Sequence, residues 1–325
     1  MATLEIVFLH SQLEERKRRL EAAMAGAPQN ARFAQLLNEV DSALGRMAEG
    51  QYGICEVCHE SVEQDRLLAD PLVRYCLDHL TAEQRMALQR DLELASQVQR
   101  KLLPQAALRA GNWEACHHYA PLGPVSGDYC DLIPSNGHLF FALGDVSGKG
   151  VAASMLMTQL HALFRGLTGM ALPLGQIVAQ ANRVFCESAL AGQYATLVCG
   201  LASAEGGVEI HNAGHWPAVI AGRGGVLRVE STGLPLGMFL DAEFSATRVK
   251  LEPGDTLFLY TDGLSEARNA DGSEYGVERV ARLVRQHAAQ AANGIIDACL
   301  DDLRTFSGGA PRLDDLTLLA VRRHS

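Results

Sequence analysis

No stretch of this 325-residue sequence approaches the ~18 uninterrupted apolar residues that a membrane-spanning helix needs. The opening segment, Met1 to Leu20, carries Glu5 and lacks a basic run followed by an apolar one, so it does not read as a secretory leader. A membrane role is disfavoured, and the cytoplasm is the expected compartment. Positive charge is also in deficit. With 28 Lys and Arg against 38 Asp and Glu the formal net charge is −10, which argues against non-specific binding to nucleic acid. The one dense basic run, Arg16-Lys17-Arg18-Arg19, reads as a solvated helix face. A disulfide framework is missing too: three of the eight cysteines crowd into Cys55 to Cys76, a spacing that suits metal ligation. The other five, Cys116, Cys130, Cys186, Cys199 and Cys299, fall in apolar runs and read as small buried side chains. A P-loop is absent as well. Only three residues separate Gly144 from Gly148-Lys149, and Gly150 stands where that loop needs a hydroxyl, so ATP hydrolysis is rejected and Lys149 reads as an exposed residue at a helix start.

What is present is an ordinary globular composition, 48% hydrophobic and 20% charged, in a chain long enough for two or three units. Leu9, Leu13 and Leu20 stripe a first helix over about 8–25, and Phe33, Leu37, Val40, Leu44 and Met47 stripe a second over 30–49. Gly26-Ala27-Pro28-Gln29-Asn30 breaks the pattern between them, which predicts an antiparallel hairpin. Its seam serves either the two helices alone or a dimer. A third helical stretch, 81–103, repeats Leu88, Leu92, Ala95 and Leu102 with Gln99 in the remaining seam slot, and Pro104 ends it. It is either a parallel dimer coil whose register Gln99 fixes, or a helix lying on the body that follows.

Beyond Asn112 the pattern turns to short β-like runs: 128–133, 138–146, 194–202, 208–212, 218–221, 226–229, 244–251, 256–260 and 316–321. Helices are expected over 150–168 and 173–191, with a C-terminal pair over 276–306 split near Asn293-Gly294. Strands and helices in blocks, without steady βαβ alternation, predict an α+β fold of stacked antiparallel sheets flanked by helices.

Two constellations carry chemistry. Cys55-x-x-Cys58 and Cys76-x-x-His79 form a double knuckle able to close a tetrahedral Zn²⁺ shell of three thiolates and one imidazole, a structural arrangement with no open position. His59 directly follows Cys58 and reads as a bystander. The second constellation is a set of distant aspartates, Asp128, Asp145, Asp262 and Asp314, each at or beside the end of a strand-like run. Carboxylates placed alike in this way suit a shared hard-cation site, because Mg²⁺ and Mn²⁺ prefer oxygen ligands.

The finger segment, with Arg66-Leu67-Leu68-Ala69-Asp70-Pro71, resembles the zinc finger of the DksA/TraR family of RNA-polymerase-binding regulators over residues 35–80. It departs from that family in having His79 for the usual fourth Cys, and in lacking an acidic pair at the turn of residues 26–30. Six ordered motifs resemble the metal-dependent serine/threonine phosphatases, in the bacterial RsbU/SpoIIE branch, over residues 91–323. They are Gly127-Asp128-Tyr129-x-Asp131, Gly144 to Gly150, Asn212-Ala213-Gly214-His215-x-Pro217, Gly233 to Gly237, Thr261-Asp262-Gly263 and Asp314-Asp315-x-Thr317. The departures are Ser126 for a common Gly and Cys130 for a usual aromatic.

The resemblance implies a layered α-β-β-α phosphatase sandwich over 106–325, preceded by a helical hairpin (1–50), a zinc finger (51–80) and a linker helix (81–105) that offers a homodimer seam over 81–103. It implies two Mn²⁺ or Mg²⁺ ions bridged by Asp145, with the Val146 carbonyl on one ion, Asp262 and Asp314 completing the shell of the second, and Asp128 holding water around the first. Asp131 and Asp315 read as turn-capping or surface carboxylates ahead of further metal ligands, and His215 as a packing and hydrogen-bonding residue ahead of one that touches substrate. Such a pair of ions, ~3.5–4 Å apart, activates water and clamps the phosphoryl group. Substrates in that branch are phosphorylated anti-sigma-factor antagonists, which implies a partner-switching or stress-signalling role. The alternative is a non-catalytic adaptor whose finger binds RNA polymerase or another regulator.

Overall fold

The computed structural model describes residues 3–26, 31–79, 82–135, 137–170, 172–190 and 192–324. The chain divides into two compact units, Met1–Asp91 and Leu92–Ser325.

In the first unit, α1 (Thr3–Gly26) and α2 (Ala31–Ala48) pack together. Leu9, Leu13, Val40 and Ala43 are wholly buried in one cluster with Tyr52, Cys55, Val62 and Leu67, so the stripes are spent inside the unit. The expected turn at 27–30 lies outside the described residues. A short helix, α3 (Gln64–Ala69), and one 3-10 turn, Leu77–His79, complete the finger.

The boundary between units falls within α4 (Ala82–Leu102). Leu88, Leu94 and Val98 on it are exposed, while Gln99 is buried. The Gln99 carboxamide bonds the backbone of Ser126, a contact within the second unit that suits the second of the two readings of this helix, one lying on the body that follows.

Two strands that the sequence pattern did not reveal follow: β1 (Ala107–Ala110) and β2 (Trp113–Ala120). Then come β3 (Asp128–Ser135), β4 (His138–Val146), α5 (Val151–Leu167), α6 (Leu174–Ser188), β5 (Ala195–Ala202), β6 (Gly207–Ala213), β7 (Ala218–Gly222), β8 (Gly225–Val229), β9 (Ala246–Lys250) and β10 (Thr256–Tyr260). After one turn of helix, α7 (Asp262–Ser265), the chain ends in α8 (Val277–Gln286), α9 (Ala292–Ser307) and β11 (Leu316–Arg323). The break between α8 and α9 sits at residues 287–291, not at Asn293-Gly294. Those two residues occupy the first turn of α9, where N–H groups have no intrahelical partner and a Gly costs little.

The strands form two antiparallel sheets, ordered β1-β2-β11-β10-β7-β8 and β3-β4-β5-β6-β9. Side-chain alternation assigns each strand a face. Leu132, Leu139, Phe141, Leu143, Leu257, Leu259, Leu319 and Val321 meet in the core between the sheets. On the outer face of the five-stranded sheet, Tyr129, Phe140 and Ala142 pack under α5 and α6. Phe258, Tyr260, Leu318 and Ala320 pack under α8 and α9 on the other. The result is the expected α-β-β-α sandwich.

This alternation also places the aspartates. Asp128 shares the inward parity of Cys130 and Leu132, and Asp145 that of Phe141 and Leu143, so both face the space between the sheets at one end. Asp131 has the opposite parity.

Candidate metal centre

In the finger, the ligand atoms of Cys55, Cys58, Cys76 and His79 all lie within 4.8 Å of one another. Cys58 Sγ is 3.7 Å from Cys76 Sγ, and Cys76 Sγ is 3.1 Å from His79 Nδ1. The 3-10 turn brings His79 back over Cys76, its N–H donating to the Cys76 carbonyl. His59 adopts a left-handed backbone (φ 59°) and stays exposed, outside the group. Burial opposes ionisation of Cys55, yet backbone N–H groups of Cys58, Cys76 and Val57 outweigh it and hold that thiol at about 6. Burial and the two neighbouring thiols push Cys76 up to about 11. Three thiols and an imidazole at this spacing fit one soft tetrahedral cation.

The second site lies at the mouth between the sheets. Asp128 and Asp145 are direct cross-strand partners on β3 and β4. Asp128 is 1% exposed, and its Oδ2 accepts hydrogen bonds from the hydroxyls of Thr261 (3.1 Å) and Thr317 (2.5 Å). Thr261 and Thr317 are themselves paired, the Thr261 N–H to the Thr317 carbonyl and the Thr317 N–H to Thr261 Oγ1, both at 3.0 Å. The motifs that carry Asp262 and Asp314 therefore meet through their threonines. Sequence reasoning missed these threonines, although both stand beside aspartates in the quoted motifs.

Two glycines permit the close approach. A Cβ on Gly263 would meet the Asp315 carbonyl at 1.8 Å, so only Gly lets α7 touch the entry to β11. A Cβ on Gly127 would lie 2.9 Å from the Val146 carbonyl and 3.3 Å from Asp145 Oδ1, crowding both oxygens.

Burial, then the charge of Asp145, raises the Asp128 carboxyl well above its usual range, against the Thr317 hydroxyl that favours its ionised form. Asp145 is pushed up to about 7 by burial and by Asp262, Asp314 and Asp315. Asp262 rises to about 6 through burial, Asp314 and Glu266. Lys149 Nζ donates to Asp314 Oδ2 and to the Leu313 carbonyl, both at 2.9 Å, and its charge partly offsets the repulsion. Lys149 is exposed just before α5, as expected, and from there it adds an ion pair with the Asp314 carboxylate. Oxygen donors that repel one another and are partly withdrawn from water fit hard divalent cations.

The remaining predicted residues divide. Asp315 Oδ1 accepts from the Leu122 N–H (2.6 Å) and Oδ2 from the Gly127 N–H (3.3 Å), so it ties down the loop leading to Asp128. Asp131 is neither a turn cap nor a surface group. It is fully buried on the helix side of β3, in a two-pronged ion pair with Arg165 of α5 at 2.8 and 2.5 Å. His215 is buried, with Nδ1 2.8 Å from Thr196 Oγ1 and Nε2 3.1 Å from the Tyr260 carbonyl. Burial holds it down at about 4, so it is a neutral imidazole with both nitrogens committed. A cavity of ≈ 380 Å³ opens onto Asp145, Ser147, Tyr194, Thr196, His215 and Asp262. A second, of ≈ 590 Å³, reaches Asp262 and Asp314 from the side of Leu303 and Arg312.

Comparison with known proteins bears on family and fold. The family model for stage II sporulation protein E (SpoIIE) matches residues 135–324, more than half of the chain. The prokaryotic dksA/traR C4-type zinc finger model matches residues 50–78, ending just before His79. IcfG of Synechocystis sp. is 27% identical over 264 residues, covering 72% of this chain and 42% of that protein. The phosphoserine phosphatase RsbU of Bacillus subtilis is 25% identical over 242 residues, covering 72% of this chain and 70% of RsbU. The chain thus spans well under half of IcfG and somewhat over two thirds of RsbU. Among solved structures, the SiaA PP2C domain of Pseudomonas aeruginosa superposes with a TM-score of 0.65 at 22% identity, over 74% of this chain and 98% of that one. The RsbU and RsbW domains of a Mycobacterium tuberculosis protein superpose with a TM-score of 0.57 at 26% identity, over 67% of this chain and 62% of that one. The chain belongs to the SpoIIE family, and its second unit has the PP2C-type fold.

Proposed function

We propose that the chain is a metal-dependent phosphoserine/phosphothreonine protein phosphatase, with Asp145, Asp262, Asp314 and the Val146 carbonyl as ligands of two Mn²⁺ or Mg²⁺ ions and Asp128 in support. The observation that carries this reading is the convergence of carboxylates from β3, β4, α7 and the entry to β11 on one mouth, with Lys149 as a facing cation. When bound, the ions neutralise phosphoryl oxygens and acidify water enough to make it a nucleophile near neutral pH. The protein's own part is positional. Thr261 and Thr317 fix the Asp128 carboxylate, Gly127 leaves Asp145 Oδ1 and the Val146 carbonyl uncrowded by a side chain, and neutral His215 braces the Tyr260 carbonyl one residue before Thr261.

Cys55, Cys58, Cys76 and His79 hold one structural Zn²⁺ in this reading, with no position left open for substrate. The substrate is a phosphorylated protein, which the phosphoserine phosphatase RsbU supports as a relative, and the motif resemblance to the RsbU/SpoIIE branch implies the anti-sigma-factor-antagonist class and a cytoplasmic partner-switching setting. Among the described residues no helix is long and apolar enough to cross a membrane. A non-catalytic adaptor would have no need of this complete carboxylate set.

The test is phosphate release from a phosphoserine peptide with and without Mn²⁺, for wild type and Asp262→Asn. Mn²⁺-dependent release that the variant loses is expected; equal rates in the two proteins remove the enzyme reading.

A further inference from the structure

One buried polar contact next to the carboxylates is unused by the function proposed above. Gln99, on the last turns of α4, is 5% exposed. Its Nε2 donates to the Ser126 carbonyl at 2.7 Å, and its Oε1 accepts from the Ser126 N–H at 3.0 Å. One side chain thus satisfies both backbone groups of a single residue, as a neighbouring strand would. Ser126 is itself 1% exposed, and its Oγ accepts from the Asp128 N–H at 3.0 Å. Two residues beyond this clamp, Asp128 begins β3, and its carboxylate faces Thr261 and Thr317.

We infer that Gln99 and Ser126 are positioning residues, a relay in which α4 fixes the backbone at Ser126 and the Ser126 hydroxyl fixes the start of β3, so that the Asp128 carboxylate is held toward the site. The chemistry of the contact supports this over simple packing. A buried carboxamide bonded at both ends is directional, and an apolar side chain of equal volume could fill the space but would leave the Ser126 N–H and carbonyl without partners. The loop is otherwise anchored near this point by the Asp315 contacts to the Leu122 and Gly127 N–H groups, so loss of Gln99 frees one residue of backbone without releasing the whole loop.

This inference rests on the metal-centre reading of the site, and its test separates the two. Mn²⁺ binding to the full chain is measured by calorimetry for wild type, Gln99→Leu and Ser126→Gly, alongside thermal midpoints and turnover of an aryl phosphate. Both variants are expected to fold and to bind Mn²⁺ more weakly by ~tenfold or more, the range typical of groups that orient a ligand. Turnover is expected to fall at low Mn²⁺ and to recover as Mn²⁺ is raised, with KM for the aryl phosphate unchanged. A purely structural role would lower the thermal midpoint and leave Mn²⁺ affinity alone; that result overturns the inference, and Ser126→Gly decides the matter should Gln99→Leu not fold. A wild-type chain that binds no Mn²⁺ overturns the reading of the site itself, and the relay with it.

Discussion

Replacing Asp145 with Asn is expected to stabilise the protein when divalent ions are absent and to weaken the stabilisation that Mn²⁺ provides. The Asp145 carboxyl is held at about 7 rather than 3.8 by burial and by Asp262, Asp314 and Asp315. At about 1.4 kcal/mol per tenfold change in the protonation equilibrium, keeping it ionised at pH 8 costs up to roughly 4 kcal/mol. The repulsion is shared among neighbours, which brings the working value to about 2–4 kcal/mol. The folded chain keeps this proton in a pH range where the unfolded chain has lost it. Stability of the wild type therefore falls as pH rises from about 4 toward about 7, and the full cost is present above that. The Asn variant carries no such cost, so its advantage grows across this window. Groups that titrate in the opposite sense, such as His215, are common to both proteins and cancel in the difference. For a unit of this size the advantage amounts to ~4–16 °C in melting temperature at pH 8. Scanning calorimetry of both proteins, dialysed free of Mg²⁺ and Mn²⁺ and run from pH 5 to 8, reads it directly. Added Mn²⁺ is expected to reverse the order, because the wild type then gains binding energy that the variant partly lacks. A variant no more stable than wild type at pH 8 without divalent ions, or equal gains from Mn²⁺ in both, would refute the reasoning.

Other outcomes follow from the same contacts. Arg165→Ala leaves fully buried Asp131 without its cation and should cost about 3 kcal/mol in chemical denaturation, while turnover per folded molecule stays near wild type. His215, neutral when folded and held at about 4 by burial, contributes ~3 kcal/mol that is lost as pH falls from about 6.5 through about 4. His215→Gln should flatten that acid limb in pH-dependent denaturation, at a cost in stability at neutral pH. Cys58→Ser should reduce bound zinc and remove hydrogen-exchange protection over residues 50–79, with protection of β3 to β6 retained.

The sequence was most legible where alternation is clean. The strands from Asp128 to Val146 read directly, and pairing of Ser135 with His138 sets Asp128 opposite Asp145. Strand parity could also have separated Asp128 from Asp131: residues three apart on a strand face opposite sides, which is why one reaches the mouth and the other meets Arg165. β2 escaped notice because its inward positions mix Trp113 and Ala115 with His117 and Tyr119, and its burial comes from pairing with β11, almost two hundred residues away. The break between α8 and α9 was misplaced because Asn and Gly are read as helix stops, yet in a first turn they are tolerated. Gln99 shows the limit of periodic patterns. A polar residue in an apolar stripe signals a specific partner, but a coil partner and a backbone partner within the same unit leave the same trace in the sequence. The meeting of Asp262 with Asp314 depends on β10 pairing with β11, a long-range register that motif order implied only through family resemblance.

The most direct test of the central claim is crystallographic: soaking the full chain with Mn²⁺ and locating the ions by their anomalous scattering. Anomalous peaks within ligand distance of Asp145, with Asp262 and Asp314 contributing oxygens, are the predicted result. Crystals with Mn²⁺ signal elsewhere, or with Asp145 and Asp262 free of any ion at concentrations that support phosphate release, would contradict it.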